Sequence, residues 1–247
     1  MIAPTDRLFL PDAYLSTVEG KVVGIDGEGG ILLDRTNFYA TSGGQPGDAG
    51  FLERADGTQI SITGTVYGDA AKTIVRHLPD EGAPVPVIGE TLVLHIDWDR
   101  RYRLMRMHTA CHLLSVVCPY PITGAAVGEN ESRVDLDMAD VPDKESVTLE
   151  LMQLVEGNHP IFTRTITEDE LAANPGLVKS KNVRPPAGAG TIRLVCIGDE
   201  ASVDSQPCGG THVSETAEVG AIHIGKIEKK GRENRRFRIR FGALDRG

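Results

Sequence analysis

The sequence predicts an α+β fold in two parts, and three observations lead there. Gly supplies 28 of the 247 residues, above the ~7% usual for globular proteins, and 14 of these lie in the first 97 positions. That stretch is a series of short apolar runs between turn signals, as in a small β-barrel or sandwich. From Asp97 onward, helical periodicity mixes with antiparallel-looking strands without a βαβ rhythm, the pattern of an α+β domain. The boundary is placed at 97/98, which gives domains 1–97 and 98–247.

In the first domain the strand candidates are 21–26, 30–35, 59–67, 73–77 and 91–96. In the last of these, Leu92, Leu94 and Ile96 share one face, as alternation along a strand requires. Gly27-Glu28-Gly29-Gly30 and Asp56-Gly57 read as hairpin turns. In the second domain, Asp99 is placed as the cap of a helix over 100–117 that Pro119 stops, with Leu104, Leu114 and Val116 on its apolar face. A second helix fits 143–156, with Val147, Leu151 and Leu154 on a stripe and Gly157 at its end. Residues 161–166 read as a strand. Thr167-Glu168-Asp169-Glu170 is a capping box for a short helix that ends before Pro175. Strands are expected at 191–197, 219–224 and 235–241, and a Pro/Gly-rich loop at 180–190.

Composition narrows the function class. Apolar residues at 40% and charged residues at 25% argue against wholesale disorder. No apolar run reaches 18 residues, so no membrane-spanning helix is expected. The N-terminus lacks a signal-peptide core. Four unevenly spaced Cys do not make a disulfide scaffold, and a reducing cytoplasm is the expected location. The net charge of −9 argues against a nucleic-acid binder over its whole surface. Residues 226–240, however, carry eight basic side chains against Glu228 and Glu233. A local basic segment on an acidic body can grip a polyanion.

Two short motifs carry metal-ligand chemistry. His108 and His112 stand at i, i+4 on the first helix, where side chains lie ~5–6 Å apart on one face. Cys208 and His212 are four apart across Gly209-Gly210. Together they offer a thiolate and three imidazoles, a set that suits Zn²⁺. The motifs lie 96 positions apart, so the fold must assemble the site. A metalloprotease reading fails, because that motif needs Glu after the first His and Thr109 stands there. A closed site that only staples the fold is the alternative. Cys111 is assigned to helix packing and Cys196 to a strand interior.

The segment from Asn37 to Gly50 is the other dense stretch. Gly43-Gly44 allows a tight turn and a close approach to a ligand. Thr41 and Ser42 add hydroxyls and Gln45 an amide. It is neither a Walker nor a Rossmann loop, since the Gly spacing and the Lys-Ser/Thr ending are missing.

Four blocks in this order resemble a known family: Phe38–Gln45, the Arg101–Leu114 helix with its His-Thr-x-x-His, the Ile197–Asp204 region, and Cys208–Val213. The chain is similar to the editing domain of alanyl-tRNA synthetase and its free-standing relatives, the AlaX trans-editing proteins, over about residues 15–242. The family usually has Pro where Ala40 stands. Lacking an aminoacylation domain, the chain resembles the medium-length free-standing form: an N-terminal β-barrel bearing the glycine motif, then a zinc-binding editing domain with an antiparallel sheet.

The resemblance implies hydrolysis of the ester joining a wrong amino acid to the tRNA specific for alanine. Serine is the chief candidate and glycine a further one. It assigns Zn²⁺ to His108, His112, Cys208 and His212, with the ion either activating water or positioning substrate. Thr41 and Gln45 are the substrate-site candidates, Thr41 for the serine hydroxyl. Asp204 and Gln206 are the candidates for orienting the ligands. Arg236, Arg238 and Arg240, on one face of a strand, are expected to meet RNA phosphate with Lys229 and Lys230. Other readings are a zinc-stapled tRNA-binding module without catalysis and a metallohydrolase of small esters or amides.

Overall fold

A computed structural model describes residues 2–182 and 190–244. The chain divides into two compact units, Met1–Tyr102 and Arg103–Gly247, whereas the sequence reading places the boundary at 97/98. Of the expected loop at 180–190, residues 183–189 lie outside the described residues.

In the first unit, β1 (Asp6–Arg7) pairs in parallel with β4 (Arg35–Thr36). The remaining strands are β2 (Thr17–Ile25), β3 (Ile31–Leu33), β5 (Gly50–Glu53), β6 (Gln59–Tyr67), β7 (Val75–Pro79) and β8 (Thr91–Ile96). They close into a barrel in the order β2-β3-β7-β6-β5-β8. Closure leaves no sheet edge, and the expected alternation fills the interior. Ile60 and Ile62 of β6 and Leu92, Leu94 and Ile96 of β8 are buried with Val22, Leu33 and Leu52. The glycine motif enters at Thr36. The Thr36 hydroxyl lies 2.8 Å from Nε2 of buried His77 and accepts from the Phe38 amide at 3.0 Å. His77 Nδ1 faces the Ile31 carbonyl at 3.0 Å.

The long helix α1 (Trp98–Val117) begins two residues earlier than expected. Its cap is Asp97 and not Asp99. Asp97 Oδ1 accepts from the Arg100 amide at 3.1 Å, the reach from an N-cap to the third helical residue, whereas Asp99 lies inside the first turn. Leu104, Met105, Met107, Leu113 and Leu114 are all buried, so α1 is enclosed on more than one face.

The second unit holds two antiparallel sheets. β9 (Ile122–Ala126), β10 (Glu131–Asp137), β14 (Ile222–Gly231) and β15 (Asn234–Phe241) form one, in the order β14-β15-β10-β9. β11 (Ile161–Thr167), β12 (Thr191–Ile197) and β13 (Asp204–Pro207) form the other. The helix α2 (Lys144–Glu156) packs on β14. Asp143 caps it by accepting from the Ser146 amide, and Val147, Leu151 and Val155 are its buried stripe. The expected capping box opens α3 (Glu168–Ala173), with Thr167 and Glu170 bonded reciprocally.

Two further features depart from the sequence expectation. The strand expected at 219–224 starts only at Ile222, because Thr216–Val219 is a 3-10 turn. β1, β5, β9, β10 and β13 answer to no expected strand; β13 is four residues long and holds two polar side chains inward, so no apolar alternation marks it.

Candidate metal centre

The centre is built where a helix stripe meets a strand stripe. On α1, His108, His112 and Ser115 follow at i, i+4 and i+7, one helical face. On β13 and its continuation, Asp204, Gln206 and Cys208 follow at i, i+2 and i+4, one strand face. The Cys208 amide still bonds the Arg193 carbonyl of β12 at 3.2 Å, which carries the strand direction past Pro207. Gly209-Gly210 then turns the chain so that His212 returns to the same point.

The ligand atoms of His108, His112, Cys208 and His212 all lie within 4.8 Å of one another. Cys208 Sγ is 3.6 Å from Nε2 of His108 and 3.3 Å from Nε2 of His212. The ring centroids of His108 and His112 are 4.3 and 4.4 Å from that of His212. Four donors so close, two of them separated from the others by 96 positions, fit a single metal ion.

Supporting contacts aim the rings. His112 Nδ1 lies 3.3 Å from Asp204 Oδ2, which leaves Nε2 for the cluster. His212 Nδ1 lies 3.1 Å from the Thr109 hydroxyl. Gln206 Nε2 donates to Asp204 Oδ2 at 2.8 Å and to Ser115 Oγ at 3.2 Å. Lys179 Nζ donates to Asp204 Oδ1 at 2.5 Å and to Ser115 Oγ at 3.0 Å. The Arg193 guanidinium donates to the carbonyls of Cys208 and Gly210 at 2.6 and 3.1 Å and so holds the Gly-Gly turn.

The electrostatics put Cys208 and His212 in metal-binding forms, whereas His112 holds a proton that an arriving ion would displace. Burial alone would raise the Cys208 thiol, but the imidazoles of His108 and His212 hold its pKa well below the ordinary value. Burial, with His108 and His112 nearby, lowers His212 to about 3 and keeps it neutral. Burial opposes the cationic form of His112, yet Asp204 and Cys208 outweigh it and raise its pKa. Burial likewise opposes the charged Asp204, but His112 and Lys179 hold it down to about 2. Neutral imidazole and thiolate are the forms that bind metal. Cys111, in contrast, stays outside the cluster, and burial pushes its thiol up to about 12.

In the first unit, Ser42 and Gln45 close a two-residue turn through bonds of 3.1 and 2.9 Å between their amides and carbonyls. Gly43 (φ 57°) and Gly44 (φ 84°) are both left-handed, the conformation of a type I′ hairpin turn that glycine adopts without strain. Gln45 is fully buried. Thr41 is exposed. Its hydroxyl donates to the Thr65 carbonyl at 3.1 Å and accepts from the Gly47 amide at 2.8 Å.

The basic strand also takes a definite form. Phe237 and Ile239 are buried, while Arg236, Arg238 and Arg240 face outward and meet carboxylates. Arg236 grips Asp135 of β10 at 2.7 and 2.8 Å. Arg238 pairs with Glu131 and Glu228, and Arg240 reaches Glu131 at 2.6 Å. Lys230 pairs with Glu228 at 2.7 Å, and Lys229 is exposed. Part of the excess positive charge seen in the sequence is therefore balanced by Glu131 and Asp135 of β10, which lies about 100 residues away in the chain.

Sequence reasoning did not find Lys179, Ser115, Thr109 or Arg193. Thr109 and Ser115 could have been flagged from their spacing to the histidines; Lys179 and Arg193 carry no such signal.

Comparison with known proteins gives these residues a family context. Residues 192–238, which include Cys208 and His212, match the family described as threonyl and alanyl tRNA synthetase second additional domain. Residues 16–100, which include Gln45, match tRNA synthetases class II (A). The alanyl-tRNA editing protein AlaX-M of Saccharolobus solfataricus is 31% identical over 94% of this chain and 97% of its own. AlaX-M of Methanosarcina mazei is 34% identical over 98% and 97%. An alanine–tRNA ligase of Pyrobaculum aerophilum is 36% identical over 91% of this chain but only 25% of its own length. With full-length likeness of this order, a metal-ligand cluster and a barrel that carries the glycine turn, this chain belongs to the AlaX-M family of alanyl-tRNA editing proteins.

Proposed function

We propose that this protein is an aminoacyl-tRNA deacylase that acts in trans on the alanine tRNA, chiefly when it carries serine, and that Zn²⁺ occupies the His108/His112/Cys208/His212 cluster. The observation that carries the reading is the convergence of these four ligand atoms within 4.8 Å in a chain of the AlaX-M family. The donor set of one thiolate and three imidazoles favours Zn²⁺ over hard cations, which prefer oxygen ligands. Bound there, Zn²⁺ supplies Lewis acidity, which polarises an ester carbonyl or acidifies a water to ~7.

The chain's own residues do the rest. Asp204 orients the His112 imidazole, and Thr109 is the hydrogen-bond partner of His212. A catalytic zinc site usually keeps one position free, and four protein ligands fill a tetrahedron, so His212 is assigned as the ligand that yields. Thr41 is assigned to the serine hydroxyl. Its proton is committed to the Thr65 carbonyl and one lone pair to the Gly47 amide, which leaves one lone pair to accept from a substrate hydroxyl. Alanine, lacking that donor, forfeits this bond, and the ~10⁴ ratio of sites that bury such a group requires bound substrate to cover Thr41, which is exposed in the free chain. Gln45 is assigned to the ester or the terminal adenosine. Arg236, Arg238, Arg240, Lys229 and Lys230 are assigned to RNA phosphate, with Lys229 contributing its charge most freely. The cytoplasm, where charged tRNA is found, is the assigned location.

Four candidate ligands would leave no position open on a tetrahedral ion, which favours a second reading, in which the ion would staple the fold of a tRNA-binding module without catalysis. The deciding experiment offers seryl- and alanyl-tRNA, made on one alanine tRNA, to the protein with and without chelator. Serine release that chelator abolishes supports the deacylase. Binding without release supports the module, and equal release of both amino acids points to a general esterase.

A further inference from the structure

On the reading that the four residues hold a metal ion, we propose that Lys179 is a positioning residue for that centre, acting through Asp204 and Ser115 on His112. Lys179 lies in the loop that follows the 3-10 turn Pro175–Leu177, outside every motif that carries the family resemblance. Its ammonium nevertheless joins the two groups that hold His112 from opposite ends. On one side Lys179 Nζ donates to Asp204 Oδ1 at 2.5 Å, and Asp204 Oδ2 faces the His112 ring at 3.3 Å. On the other it donates to Ser115 Oγ at 3.0 Å, and that hydroxyl donates to the His112 carbonyl at 2.7 Å.

The geometry makes Lys179 more than a surface counter-ion. Asp204 is 1% exposed in its side chain, and a buried carboxylate needs charge partners and hydrogen bonds to stay in place. Gln206 Nε2 supplies one bond to Oδ2, the oxygen that also faces His112. Lys179 engages Oδ1 and thereby fixes the rotation of the carboxylate, and so which oxygen His112 meets. An ammonium is a point charge with three donors, so it can serve the carboxylate and the hydroxyl at once. The Lys179 side chain is 24% exposed and lines a cavity of about 580 Å³ with Tyr120, Pro121, Val178 and Lys181. Tight metal binding needs a ligand ring held in one orientation, and loss of such outer partners typically costs 10–100-fold in metal affinity.

The test uses the full chain, stripped of metal and titrated with Co²⁺ against a chromophoric chelator. Lys179→Met keeps the aliphatic stem and removes the ammonium. It should weaken Co²⁺ binding by ~10–100-fold and change the visible Co²⁺ absorption bands, which report ligand geometry. Lys179→Arg should recover most of both, because a guanidinium also pairs with carboxylate and the cavity has room for it. Unchanged affinity and bands in Lys179→Met would overturn the proposal. So would a loss that Lys179→Arg does not recover and that tracks an equal loss of thermal stability in the metal-free forms, since that describes a fold defect. If the wild-type chain itself binds no Co²⁺, the metal reading falls, and this inference falls with it.

Discussion

Arg101→Met tests whether the glycine motif is anchored by a buried charge. Arg101 is wholly buried in the first turns of α1, and Asp48 is 1% exposed. Nε of Arg101 donates to Asp48 at 3.1 and 2.9 Å, and the remaining nitrogens donate to the carbonyls of Ala13 at 2.8 Å and Asn37 at 2.6 Å. Asp48 in turn accepts from the Tyr39 amide at 2.6 Å. One guanidinium thus grips both ends of the loop that holds Thr41 and Gln45. Methionine fills much of the stem volume but leaves a buried carboxylate without its cation, and breaking such a pair from one side costs about 3–5 kcal/mol. Against a total stability of ~5–15 kcal/mol, that is a large share, and at ~2–4 °C per kcal/mol for a chain of this size the melting temperature should fall by ~6–20 °C. The assay is thermal and urea unfolding followed by circular dichroism, beside serine release measured well below the transition. Asp48→Asn added to Arg101→Met removes the stranded charge and keeps an acceptor for the Tyr39 amide, so the double variant should be more stable than the sum of the singles. A shift under ~2 °C for Arg101→Met, or strictly additive losses, would refute the anchoring argument.

Four further outcomes are expected. Cys208→Ala should lower bound zinc from about one per chain and reduce serine release together; full occupancy by elemental analysis would remove Cys208 from the ligand set. Burial lowers His77 to about 4 despite its contact with the Ile31 carbonyl, so its stabilising effect is fully present above the unfolded value of ~6.5 and is lost as pH falls through 6.5 toward 4; His77→Gln should flatten urea stability over that window by ~3 kcal/mol or less. Thr41→Val removes two loop bonds as well as the proposed hydroxyl reader, whereas Thr41→Ser retains all of them; serine release and the serine/alanine ratio should drop in the first and survive in the second. Lys229→Ala should weaken tRNA binding and lower the salt slope by about one, while Arg236→Ala should also cost stability through its pairing with Asp135, and an unmoved slope in both would place the RNA contact on another surface.

Patterns of short range were legible in the sequence. Alternation over residues 59–67 and 91–96 marked strands with those limits, because one buried barrel face enforces a period of two. The capping box at Thr167 was readable because its reciprocal bonds are local, whereas the sequence reading starts the second helix at Asp143, which is its cap, and places at Asp99 the cap that Asp97 supplies. The spacing of His108 to His112 and of Cys208 to His212 marked each half of the centre as competent to hold a metal. What tertiary structure decided were meetings between distant segments. It brought the α1 stripe onto the β13 stripe, and β13 itself was unreadable because its inward side chains, Asp204 and Gln206, are polar. It inserted Lys179 into that contact from a loop with no signature of its own. It set Glu131 and Asp135 against Arg236, Arg238 and Arg240, so that a run strongly basic in sequence became a laced face in space. Side-chain periodicity and capping depend on a few neighbours along the chain, whereas ligand convergence and charge neutralisation depend on which strands lie side by side, and no local rule encodes that.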